Sequence, residues 1–155
     1  MKNQKNQKKI HVNIGDIFSV PLFGGSHVFG YIRAYQDPDV AILPIISKGR
    51  VLSKSELPSL VSNLDVSSLR NAIESGEWAL IANIPFPDEE SSWAPPRRQA
   101  PVFKADTRRT VIVKGQIISA EAYGEYDNLP MMIRLDDKGL KEQIERISTR
   151  FPVIE

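Results

Sequence analysis

Apolar and other side chains alternate along the first third of the chain with the period of a half-buried strand. Phe18, Val20 and Leu22 share one face of a strand over 16–22. In the next run Val28, Gly30, Ile32 and Ala34 oppose Phe29, Tyr31, Arg33 and Tyr35. Gly24-Gly25-Ser26 lies between the runs and tolerates positive φ, so the two strands are predicted to close as a hairpin. Asp37-Pro38-Asp39 marks a turn into Val40–Ile46, which is apolar on both faces and reads as a buried third strand. Pro44 lacks an amide donor and belongs at an edge or a bulge of that strand.

The period changes after Ser53. Leu57, Leu60, Val61 and Leu64 recur at helical spacing, but Pro58 limits them to a short helix or a turn. Asp65 as cap, Val66, Leu69 and Ile73 on one face and Gly76 as the left-handed C′ residue predict a mid-chain helix. Trp78, Leu80, Ala82 and Ile84 then alternate as a fourth strand, with the indole as a core anchor. Five of the eleven prolines fall within 85–101, a density that excludes regular structure and points to a long, functional loop. Beyond it, residues 102–104, 109–113 and 116–119 read as short strands, the last two joined by a Lys114-Gly115 turn, and 131–135 as one more. The chain closes with a helix capped by Asp136 or Asp137, in which Leu140, Ile144 and Ile147 align and Glu142 precedes Arg146 by one turn. The fold expected is α+β, one domain, with a predominantly antiparallel, strongly curved or barrel-like sheet, a mid-chain helix and a C-terminal helix.

Composition narrows the class. A chain of 155 residues fits one domain, 10–150, between a basic leader over 1–9 and a tail over 151–155. Hydrophobic residues at 41% and charged ones at 25% are ordinary for a globular chain, and the run Val40–Ile46 is too short to cross a bilayer. The Lys-rich start carries no apolar core or cleavage site of a signal peptide, and there is no cysteine, so cytoplasmic residence is expected. Of the 20 basic residues, four lie in 1–9, leaving 16 against 19 acids from Ile10 onward. A mildly acidic body is poorly suited to phosphate binding, so no stable nucleic-acid complex and no membrane partner is expected.

Candidate chemistry is sparse. His11 and His27 have no neighbours at metal-ligand spacing, and no cofactor is expected. Asp88-Glu89-Glu90 and Asp136-Asp137 are adjacent rather than opposed carboxylates, suited to a solvated loop and a helix start rather than to acid–base catalysis. The Phe29, Tyr31, Arg33, Tyr35 face is either a stacking platform for single-stranded nucleic acid or, preferred here, a face packed against helices. Trp93 in its acidic, proline-rich loop either tucks back onto the sheet or serves as an interface anchor.

Gly15-Asp16-Ile17-Phe18 with Pro21-Leu22, Gly30-Tyr31-Ile32, Ser75-Gly76-Glu77-Trp78 ahead of Ile84-Pro85-Phe86-Pro87, and Ser119-Ala120-Glu121 before a C-terminal helix occur in this order. The arrangement resembles the immunity protein 26 family of bacterial polymorphic toxin systems over most of 10–147. The resemblance implies a non-enzymatic antitoxin that binds the C-terminal domain of a cognate secreted toxin. Gly15, Asp16, Pro21, Gly30, Gly76 and Trp78 match as structural positions, so no binding residue is transferred. The enlarged 85–101 connection and the Lys-rich leader depart from the family pattern. For a nuclease toxin with a basic cleft, Asp88, Glu89, Glu90 and Trp93 are the expected contact residues, their carboxylates imitating phosphates. Two other readings compete with it. One is a small barrel endoribonuclease, whose Arg-Pro signature is missing after the second strand; the other is a non-catalytic RNA-binding barrel using Tyr31, Arg33 and Tyr35.

Overall fold

The computed structural model describes residues 9–25, 27–99, 105 and 107–155. Its strands and helices begin with β1 (Asp16–Leu22), β2 (Val28–Ala34), β3 (Asp39–Lys48), β4 (Leu64–Ser68), α1 (Asn71–Glu74) and β5 (Leu80–Asn83). They continue with β6 (Arg97–Arg98), β7 (Thr110–Val113), β8 (Gln116–Ser119), α2 (Ala120–Tyr123), β9 (Arg134–Leu135), α3 (Asp137–Ile147) and β10 (Val153–Ile154). The main sheet has the order β5-β1-β2-β3-β4-β9, with β10 also paired to β3; β6, β7 and β8 form a second, three-stranded sheet.

The opening hairpin forms where the alternation places it, antiparallel from Ile17↔Arg33 to Leu22↔Val28. Its connection turns through positive φ at Phe23, Gly24, Gly25 and His27; Ser26 lies outside the described residues. Pro44 sits at a bulge. The register runs Gly30↔Ile46 and then Ile32↔Ile42, so Leu43, Pro44 and Ile45 face Tyr31 alone. On its other side β3 pairs with β4 through 39–42 and with β10 through 46 and 47, leaving Pro44 between two separate ladders.

Both faces of the sheet are buried, which explains why β3 is apolar throughout. Even-numbered positions of the hairpin, including Phe18, Val20, Leu22 and Ile32, pack with Val40, Ile42, Trp78, Leu140 and Ile144 in the core beneath α1 and α3. Asp136 caps α3 as expected, its carboxylate accepting from the Gly139 amide at 2.7 Å, and Leu140 and Ile144 are buried. The helix lies so close to β2 that a Cβ on Gly30 would stand 2.7 Å from the Ile144 Cγ2. The opposite face carries Ile17, Tyr31, Leu43, Ile45 and Leu52, covered by Leu57, Leu60 and Ile84, with a further cluster of Tyr35, Ala41, Ala94 and Phe86.

Five expectations are corrected, the first being that proline excludes regular structure from 85–101: Arg97–Arg98 form β6 there, paired with β7. Neither sheet closes or curls strongly: β5 and β9 end the order without meeting, so the fold is α+β and antiparallel-rich but not a barrel. Helices cover one face and irregular segments the other, so the sheet has no need to wrap around its own core. The mid-chain helix shrinks to four residues because 64–68 instead pairs with the open side of β3. Asp65 therefore lies on a strand rather than at a cap, while Gly76, at φ +84, does occupy the left-handed position after the helix. Residues 151–155, expected as a tail, extend the main sheet through β10, with Phe151 in the core. Arg146 donates to Gln143 at 3.0 Å, a different partner from the Glu142 expected. The predicted strand over 102–104 and the leader through residue 8 lie outside the described residues. Lys114-Gly115 makes the β7–β8 turn as expected, and 131–135 contributes only β9 and a single bridge from Met131 to Arg98.

Candidate binding surface on the proline-rich loop

A segment with this much proline has few amide donors of its own, yet its carbonyls still need partners when buried. Arginine supplies them. Gly15, at φ +94, turns the chain into β1 and lets its carbonyl accept from the Ile84 amide; a Cβ there would stand 2.6 Å from the Ile84 oxygen. Just beyond, Arg33 reaches out of β2 to donate from Nε to the Ile84 carbonyl at 3.1 Å and from Nη2 to Pro85 at 3.0 Å. Its guanidinium lies over the Phe86 ring, 3.8 Å from the centroid, and Phe86 stacks on Tyr35 at 5.3 Å. Burial lowers the Arg33 pKa from its ordinary value, opposed by its interaction with Tyr35.

The remainder of the loop is tied to the β2–β3 turn. Gln36 bonds Ser92 twice, amide to carbonyl at 3.0 Å and Nε2 to Oγ at 3.1 Å. Asp39, at the start of β3, accepts from Arg97 Nη2 at 2.9 Å and from the Ser67 hydroxyl at 2.8 Å, and all three side chains are buried. Arg70 donates to the Asp39 and Tyr35 carbonyls at 2.6 and 3.1 Å, fixing the same turn from the α1 side. The loop is thus a strap clamped at both ends, with a short 3-10 turn over Glu90–Ser92 at its crest.

That crest carries the expected contact residues. Asp88, Glu89 and Glu90 are exposed. Asp88 accepts from the Ser91 amide at 2.8 Å, and the Ser91 amide and hydroxyl hold its carboxyl below the ordinary range. Glu89 accepts from the Trp93 indole nitrogen at 2.8 Å. Glu90 pairs with Lys114 of the β7–β8 turn and raises the lysine pKa. Trp93 resolves its two readings partway: it is half-buried, with its ring beside Gly115, and one side remains accessible. These pairs are solvent-exposed, so each contributes little to stability and yields readily to a partner's charges.

Gly15, Asp16, Pro21, Gly30, Gly76 and Trp78 occupy turn, strand or core positions. Asp16 is buried and accepts from the Asn13 amide and from Asn83 Nδ2, both at 2.8 Å. Trp78 is a core residue, Gly15, Gly30 and Gly76 occupy the tight positions described above, and Pro21 lies in β1 opposite Phe29.

Tyr31, Arg33 and Tyr35 are buried and offer no open stacking platform. The Tyr31 hydroxyl bonds Ser47 at 2.7 Å and accepts from the Leu52 amide at 2.8 Å, while Tyr35 donates to Asp65 at 2.8 Å. Burial pushes the Tyr31 phenol up, and burial followed by the Asp65 carboxylate pushes Tyr35 up further. Both phenols therefore keep protons in the folded state that the unfolded chain releases above about pH 10. Their contribution is complete below that pH and declines as pH rises through the raised pKa of each phenol. Tyr35→Phe should flatten the alkaline loss of stability by one proton relative to wild type; urea titrations across this range with identical slopes for both proteins would refute the assignment.

Two parts of the clamp were not singled out from the sequence: the Asp39–Arg97 pair and the role of Arg33 as a carbonyl donor. The signal was present in a guanidinium on the inward face of an apolar strand, and in Arg97-Arg98 amid prolines, since both demand buried acceptors. Among the described residues no group of three or more His, Cys, Asp and Glu is placed to hold a metal ion, and no helix is long and apolar enough to cross a membrane. No family model, no curated protein and no solved structure matches the chain.

Proposed function

We propose that the chain is an immunity protein of the kind its motif order resembles, a cytoplasmic, non-enzymatic antitoxin that occupies the substrate cleft of a cognate toxin domain, a nuclease. The observation that carries the reading is the crest of the strap, where three consecutive acids are exposed on a backbone tied down by Arg33, Gln36 and Arg97. Ordering a loop before binding removes an entropic cost that a flexible acidic segment would incur on association. Carboxylates held in a fixed array suit a cleft built for phosphates, and the complementary charge accelerates encounter. Trp93 adds an aromatic edge beside the acids, a residue type common among interface hot spots.

The reading requires a secreted toxin encoded beside this chain, and the test uses the C-terminal domain of that neighbour. The two should co-purify, the toxin should lose activity, and toxin should raise the melting temperature of this chain by mass action. Replacing Asp88, Glu89 and Glu90 together by Ala should weaken the complex by about 2 kcal/mol or more. A change below about 0.5 kcal/mol would remove the crest from the interface. Growth arrest on expression of this chain alone would overturn the antitoxin reading in favour of an enzyme.

A further inference from the structure

Pro44 has a second consequence, away from the strap. Because it gives no amide to the ladder, the open side of β3 splits there: β4 pairs below it and β10 above it. The Asn63 amide closes one side by bonding the Ile42 carbonyl at 2.8 Å, and the Ile46 amide closes the other by bonding Pro152 at 3.1 Å. Between them lies a cleft of about 460 Å³, roofed by the end of α3 and the turn that follows it. That volume falls in the range of small-molecule sites, roughly 300–1,000 Å³.

The lining is chemically one-sided. Pro44, Ile147 and Phe151 supply apolar surface, Asn63 supplies an amide, and Arg146 and Arg150 supply two guanidiniums; no lining residue is acidic. Arg146 is steered by its bond to Gln143, a neutral partner, and among the described residues neither arginine has an ion-pair partner. A guanidinium presents a planar fork of donors that matches the oxygens of a carboxylate or phosphate. The geometry points to a binding site for a small organic anion, a carboxylate or phosphate group on an apolar or aromatic body, in the cleft between β4, β10 and the end of α3. The body would rest on Pro44 and Phe151 while the charged group meets Arg146 and Arg150. This site is separate from the acidic crest and does not depend on the antitoxin reading.

The probes are phenyl phosphate, phenylacetate and the neutral analogue 2-phenylethanol, each titrated into the full chain at low salt and followed by calorimetry and amide chemical shifts. At least one anion should bind with millimolar affinity or better, with shifts concentrated at Asn63, Thr149 and Phe151, and the neutral analogue should bind at least tenfold more weakly. The preferred anion distinguishes a phosphate from a carboxylate site. Arg146→Gln and Arg150→Gln should each weaken binding severalfold, and the double variant should abolish it. Both side chains are exposed, so circular dichroism should show the variants folded as wild type. Binding of neither anion, equal binding of the neutral analogue, or undiminished binding by a folded double variant would overturn the site.

Discussion

Asp39→Ala should destabilise the fold by about 3–5 kcal/mol, the usual result of leaving one member of a buried ion pair without its partner. Arg97, only 2% exposed, loses its carboxylate in this variant and is left with the Pro95 carbonyl and a weak contact with the Met132 sulfur. The Ser67 hydroxyl is orphaned at the same time. Urea unfolding at neutral pH measures the loss, and the double variant Asp39→Ala/Arg97→Met decides its origin. If the cost is an uncompensated charge, the double variant should be more stable than Asp39→Ala alone, since removing both charges removes the desolvation penalty. A loss below about 1 kcal/mol in the single variant would mean that solvent screens the pair as it does at a surface.

Arg33→Ala should cost about 2–4 kcal/mol and release the strap locally. A charged donor to a carbonyl is worth roughly 1.5–3 kcal/mol, and the contact with Phe86 is lost too, but the released strap lets the freed carbonyls bond water and recover part of the cost. Hydrogen exchange should show amides around 86–93 opening while those of β1, β2 and β3 remain protected. Arg33→Lys should rescue little, because one ammonium cannot bridge the Ile84 and Pro85 carbonyls and lie flat over a ring. The same variant bears on the proposed function: a buried residue with no access to a partner should still weaken toxin binding, because the crest loses its fixed geometry. Unchanged exchange across 86–93 would show that the strap is held by something other than Arg33.

These two arginines also mark the limit of what pattern reading detects. Arg33 belongs to an alternating strand, and its inward direction follows from Val28, Gly30 and Ile32 taking the opposite face. Packing was the preferred reading of the aromatic face around it, and the burial of Tyr31 and Tyr35 bears that out, although loops rather than helices cover it. The contact with Ile84 and Pro85 spans about fifty residues, and no local signal specifies it. The mid-chain helix failed for a related reason. Val66, Leu69 and Ile73 have helical spacing, but the unpaired side of β3 offered 64–68 a hydrogen-bonding ladder, and Leu69 is left largely exposed. The acidic crest was legible because Asp88-Glu89-Glu90 and Trp93 are close in sequence; their attachment to Ser91 and Lys114 was not.

By itself the amino-acid order determined whatever rests on neighbours within a few residues. The β1–β2 hairpin, the buried third strand broken at Pro44, the C-terminal helix with an aspartate cap and the core position of Trp78 all belong to that class. Tertiary structure alone decided that the sheet stays open, that β10 joins β3, that the proline-rich segment is clamped as a strap, and that Arg146 and Arg150 overlook one cleft. Local backbone preference and periodicity act over one or two turns, whereas strand edges and buried guanidiniums select partners by unmet hydrogen bonds, which distance along the chain does not limit.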